Sequence, residues 1–213
     1  VMTGNAILDA SKKILPILKN AGSKLLNCNP IDININNGIV TNNLTGNAIE
    51  FSKVTEFLYQ NEMMMKVDGW WHTPKLDYNF ETGTGEAYFT YSYATQIVKV
   101  RVDKFTGIVK VLNVWAAHDV GKAINPAGLE AQIEGGVTQG IGMALTEKFV
   151  YNKGKVETLN LSTYLLPTAN DIAHVETIII EDPEPLGPWG AKGIGEPAII
   201  PTAAAIANAV SNA

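Results

Sequence analysis

The sequence predicts an α+β fold, and three observations carry that reading. Segments with the apolar spacing of helices and segments with strict two-residue alternation both occur. They follow one another without the regular strand-helix-strand rhythm of a doubly wound sheet. Finally, 213 residues with 46% hydrophobic and 17% charged side chains suffice for one good-sized core or two small ones.

Residues 4–24 place Ile7, Ala10, Ile14, Leu15 and Leu18 close to i, i+3, i+4, i+7, the stripe of an amphipathic helix, with Pro16 expected to kink or divide it. After Asn29-Pro30 the alternation Ile31-Asp-Ile-Asn-Ile35, the pair Asn37-Gly38 and the run Ile39-Val-Thr41 predict a hairpin. A second helix is expected over residues 52–61, with Val54, Phe57 and Leu58 on one stripe, Ser52 as its N-cap and Phe51 as a staple. Residues 69–85 are rich in aromatics and turn formers and long for a connection, which suits a functional loop. Trp70 and Trp71 are candidates for a pocket wall, or for ordinary core.

From residue 88 to 103 the chain alternates again, with Ile97, Lys99 and Arg101 against Val98, Val100 and Val102. Lys104-Phe-Thr-Gly107 turns it into a second antiparallel strand over residues 108–117. A loop over 119–126, a long helix over 129–147, a short hairpin over 148–158 and a buried strand over 175–181 follow. The loop 182–201, rich in proline and glycine, then leads into an alanine-rich helix from Thr202. A coarse hairpin-plus-helix unit is expected twice, at 1–61 and 88–158. The chain begins in helix-like sequence without a methionine and ends inside another helix, so both ends read as cut.

Composition excludes several classes of function. Sixteen basic against twenty-one acidic residues, net −5, give no basic surface for nucleic acid. The single cysteine, Cys28, forms no internal disulfide and cannot by itself hold a four-cysteine zinc or iron-sulfur site. No apolar run approaches the roughly 18 to 20 residues of a membrane span, and no basic segment precedes an apolar stretch at the start. The expectation is a soluble, cytoplasmic protein.

Two glycine-rich clusters stand out. The long helix carries Gly135, Gly136, Gly140 and Gly142, and each interior glycine costs about 1 kcal/mol of helix propensity. Close packing against another element and approach by a bulky ligand both account for that, and the sequence leaves both open. The second cluster, Lys192-Gly-Ile-Gly-Glu196-Pro197, delivers one carboxylate on a constrained loop ahead of a helix. Glu196 is a candidate general base; pairing with Lys192, or capping the helix, is the structural alternative. There is no G-x-x-x-x-G-K-[ST] and no G-x-G-x-x-G. His72, His118 and His174 are scattered, so no protein-ligated metal is expected. His118 and Asp119, adjacent on a strand, point to opposite faces and suit structural roles better than a dyad.

Taken in order, Gly69-Trp-Trp-His-Thr-Pro74, the strand from Tyr88 to Asp103, Asp119-Val-Gly-Lys-Ala-Ile-Asn-Pro126, Gln132-Ile-Glu-Gly-Gly136, Gln139-Gly140 and Gly193-Ile-Gly-Glu196-Pro197 form a specific combination. Over nearly its whole length the chain resembles the C-terminal part of the molybdenum-cofactor subunit of the xanthine dehydrogenase/aldehyde oxidase family. The resemblance implies a mixed α/β molybdopterin-binding fold, with residues 1–213 forming the C-terminal portion of that domain and 182–201 its catalytic loop. It implies oxidative hydroxylation of a purine-like or other N-heterocycle, or of an aldehyde, with oxygen from water. Glu196 matches the glutamate that deprotonates a molybdenum-bound hydroxide, which is far more acidic on a high-valent metal than when free. Gln132 matches a cofactor-binding position, where a primary amide both donates and accepts. Lys192, Gly193, Ile194 and Gly195 shape the same pocket, and no side chain ligates the metal.

The family's other cofactor segments, a Gly-Gln-Gly stretch and an arginine near the substrate, have no match. The remaining half of the site is therefore expected on a partner subunit or a preceding portion, and iron-sulfur clusters and FAD on partner chains or domains. The family's separate-subunit members commonly carry the cytosine dinucleotide of the pterin, which makes that form the expectation. Two alternatives stand beside this reading: a non-catalytic scaffold subunit of such a complex, and a carbon monoxide dehydrogenase-like member.

Overall fold

Asn37-Gly38 sets the first piece of structure. In the computed structural model, which describes residues 1–213, both residues adopt positive φ (46° and 77°), as a two-residue type I′ turn requires. The turn joins strands β1 (Ile33–Asn36) and β2 (Ile39–Asn42), and a third antiparallel strand, β3 (Ala48–Glu50), pairs with β2. Helix α1 (Met2–Leu26) runs undivided through Pro16, because its stripe is held by packing. Gly22 lies against Val40, at a distance where a Cβ would come within 2.9 Å of Val40 Cγ1. Helix α2 (Phe51–Gln60) begins one residue earlier than its sequence suggests. Its N-cap is Glu50, and Ser52 lies inside the first turn, where its hydroxyl donates to the Glu50 carboxylate (3.0 Å). Ala21, Ile33, Val40, Val54 and Leu58 form the core of this unit, Met2–Lys75.

The second compact unit comprises Val1 and Leu76–Ala213. Its short hairpin β4 (Tyr78–Asn79) and β5 (Thr84–Gly85) lies within the aromatic loop. The long strands β6 (Ala94–Val102) and β7 (Val109–Asp119) pair antiparallel as expected, although β6 starts at Ala94 rather than at Tyr88. Helix α3 (Pro126–Leu145) follows, then the hairpin β8 (Tyr151–Asn152) and β9 (Lys155–Val156). Strand β10 (His174–Ile180) returns parallel to β7, giving the order β10-β7-β6. As an edge strand β10 is only half covered, not buried: Ile178 and Ile180 are exposed. Helix α4 (Thr202–Ser211) packs beside α3 on the inner face of the sheet, where Val114, Ala116, Ile133, Val137, Ile141, Ala198 and Ile206 form the core.

Candidate active site

The parallel pair β7 and β10 directs its carboxyl ends to one edge of the sheet, the place where open sheets with helical crossovers bind ligands. The chain leaving β7 stays there. Val120 N donates to Ile180 O (3.0 Å), Lys122 N to Gly190 O (2.7 Å), and Lys192 N to Val120 O (2.9 Å). Residues 119–122 and 190–192 are thus laced together. Gly121 (φ +66°) is required at that crossing, because a Cβ would strike the Gly190 carbonyl. Trp189 keeps a left-handed backbone (φ 51°), a strained choice for a bulky residue, costing about 1–3 kcal/mol, that the surrounding turn imposes.

Beneath this crossing lies a buried ion pair. The Lys192 ammonium donates to Asp119, with both side chains almost wholly covered, and sits 3.5 Å from Asp182. The hydrogen bond to Asp119 holds the Lys192 ammonium above its ordinary pKa of 10.5, against the opposing effect of burial. Lys192 therefore turns its charge to Asp119 rather than to Glu196. Nearer the surface, Glu181 accepts from Lys122 Nζ (2.7 Å) and Ala123 N (2.8 Å), and its carboxyl is held below the usual range chiefly by that lysine.

Helix α3 starts at the same edge. Asn125 caps it by accepting from Gly128 N (3.2 Å), and Pro126 fills its first turn. One turn further, Gln132 Nε2 donates to the carbonyl of Gly195 (2.6 Å), tying the helix to the glycine loop. A cleft of about 480 Å³ opens between them, lined by Gln132, Lys192, Ile194 and Gly195 together with Val120, Lys122 and Asn125. Gly193 and Glu196 lie on the exposed side of the same loop, outside this lining, and α4 takes Pro201 as its N-cap with no side-chain hydrogen bond.

Close packing explains three of the four helix glycines. A Cβ on Gly136 would come 2.6 Å from the Ala198 Cβ, one on Gly140 2.5 Å from the Thr202 Cβ, and one on Gly142 2.6 Å from Pro167 Cδ; these glycines allow close packing. Gly135, Gly193 and Gly195 have nothing within 4 Å of where a Cβ would stand. The fold itself does not need their small size.

Sequence reasoning missed what holds the loop from behind. His118 is fully buried on the inner face, Gln96 Nε2 donates to Ala198 O (2.9 Å) and lies 3.3 Å from His118 Nε2, and Thr202 Oγ1 donates to Gln96 Oε1 (2.7 Å). The available signal was register: Gln96 and His118 occupy the inward positions of β6 and β7 that Val98, Val114 and Ala116 otherwise fill.

Comparison with known proteins gives the chain its family. Residues 1–173 match the family described as a molybdopterin cofactor-binding domain. The chain belongs to this family. This molybdopterin-binding chain is 38% identical over 151 residues to the nicotine 6-hydroxylase large subunit of Paenarthrobacter nicotinovorans, covering 68% of this chain and 18% of that one. It is 39% identical over 137 residues to the putative xanthine dehydrogenase molybdenum-binding subunit of Escherichia coli (strain K12), covering 63% and 18%. Its fold is similar to that of quinoline 2-oxidoreductase from Pseudomonas putida 86, with a TM-score of 0.70 and 31% identity over 93% of this chain and 25% of that one. The chain thus spans about a fifth of the length of these curated relatives. The loop 182–201 lies C-terminal to the family match.

The cleft suits a molybdopterin in its donor set. Gln132 offers its amide oxygen, Gly195 leaves its backbone uncovered, and the α3 N-terminus adds partial positive charge. No helix of the chain is long and apolar enough to cross a membrane.

Proposed function

We propose that the chain forms the base-bearing half of a molybdenum hydroxylase active site that hydroxylates an N-heteroaromatic substrate with oxygen from water. The observation that carries this reading is the Gln132–Gly195 tie, which sets an uncrowded glycine loop bearing Glu196 beside a cofactor-sized cleft. The names of two relatives, a nicotine 6-hydroxylase and a quinoline 2-oxidoreductase, favour a nitrogen heterocycle over an aldehyde.

Gln132, Gly193, Ile194 and Gly195 would hold the molybdopterin, while Lys192 contributes its backbone and stem, its ammonium being committed to Asp119. When bound, the cofactor supplies the two-electron oxidant. Glu196 accepts, at a carboxylate oxygen, the proton of the water-derived nucleophile as that oxygen attacks the electron-poor carbon. The Gln132–Gly195 bond keeps the loop in place while the proton moves. Within the same reading the other cofactor loops come from the remaining part of the molybdopterin-binding subunit, the pterin is the cytosine dinucleotide, and iron-sulfur clusters and FAD on partner subunits carry electrons away.

The test is Glu196→Gln in the assembled enzyme. A general base contributes roughly 10²–10⁴-fold, so turnover is expected to fall by at least about 10²-fold with molybdenum content unchanged. Retained turnover at full molybdenum loading would contradict the role.

A further inference from the structure

Glu196 sits on a loop whose upstream end is fixed by the backbone lacing of Lys192. Gln132 ties Gly195 just before it, and beyond Glu196 the segment is held at Ala198 by the Thr202 hydroxyl and by one side chain of another element, Gln96. We propose that Gln96 is the positioning residue for Glu196: from the inward face of β6 its amide holds Ala198 and Thr202, and through them the segment that carries the carboxylate. This inference rests on Glu196 being the base.

Three features give the amide this role. Gln96 Nε2 donates to Ala198 O (2.9 Å), two residues beyond Glu196, and Gln96 Oε1 accepts from Thr202 Oγ1 (2.7 Å), the first residue of α4. Thr202 Oγ1 also lies 2.9 Å from Ala198 O, so the three groups close a ring. The amide can face only one way. Its NH₂ end has an acceptor in Ala198 O, and a flipped amide would set its oxygen against the Ala198 carbonyl. The segment is also wedged: Ala198 is 1% exposed against Gly136, Thr202 is 0% exposed against Gly140, and Ile199 N donates to Glu196 O (3.1 Å). Movement of Ala198 therefore passes directly to Glu196.

The experiment uses the assembled holoenzyme with three variants. Gln96→Met and Thr202→Val each remove one arm of the ring, and Thr202→Ser keeps the hydroxyl. The first two are expected to speed amide exchange at Ala198, Ile199 and Ile200 about tenfold, as loss of a buried hydrogen bond implies, without changing exchange at Val98 or Val114. They are expected to lower kcat by about the same factor with KM and molybdenum content held, because a displaced base weakens the chemical step and not binding. Thr202→Ser should restore both. Unchanged exchange at 198–200, an equal rise across the whole sheet, a Thr202→Ser chain as impaired as Thr202→Val, or failure of both Gln96→Met and Thr202→Val to assemble would overturn the proposal. Glu196→Gln run in parallel separates the two claims. If it stays active the base assignment fails, while the exchange pattern still decides whether Gln96 holds the segment. If it is inactive and Gln96→Met loosens the segment without lowering kcat, the positioning role fails.

Discussion

At the scale of single residues, the site rests on charges and amides that the fold forces into pairs. Removing one partner of a buried pair leaves the other desolvated, so Asp119→Ala should destabilise the chain by on the order of 3 kcal/mol in denaturant titration. A loss within a few tenths would mean that Lys192 finds water or Asp182 instead. His118 makes a second prediction. Burial lowers its pKa from the ordinary 6.5, so the folded chain releases a proton that the unfolded chain still binds near that pH. Stability should therefore fall as pH drops below about 6.5, with a slope of at most about 1.4 kcal/mol per pH unit, and this slope should vanish in His118→Gln. Much of this level was hidden in the sequence. Glu196 and Gln132 are legible because they stand in motifs, whereas Asp119–Lys192 and Gln96–Ala198 join residues 73 and 102 positions apart, a proximity that no local pattern encodes.

At the scale of elements, α3 shows how glycines let one helix pack closely on its neighbours. Its glycines are visible in the sequence, but which of them packing requires is not, because that depends on what each one faces. Gly140→Ala would bring a Cβ to 2.5 Å from that of Thr202 and should cost about 1–3 kcal/mol through overpacking. Gly135→Ala meets nothing within the chain and should gain up to about 1 kcal/mol of helix propensity. Strong local signals settled the other elements. Asn37-Gly38 and the alternation of β6 against β7 specify their hairpins outright. Ser52 misled because the chain satisfied its hydroxyl through Glu50, and Pro16 misled because packing outweighs one lost helical hydrogen bond.

At the scale of the whole molecule, the composition excluded disulfide scaffolding and a basic nucleic-acid surface, and the ordered motifs disclosed the family that the comparisons confirm. Under the proposed function the chain is one part of a larger catalytic unit. Ile97, Ile178 and Ile180 remain exposed on the outer face of the sheet, and Phe80, Phe105 and Leu159 elsewhere in the same unit, surface that a partner would cover. The central claim is that this chain supplies the base, and anaerobic single-turnover reduction by substrate tests it most directly because it isolates the proton-coupled step from later electron transfer. With molybdenum content matched, Glu196→Gln is predicted to slow reduction by at least about 10²-fold while reduction by a chemical reductant proceeds at the wild-type rate. Substrate reduction at the wild-type rate in Glu196→Gln would contradict the account.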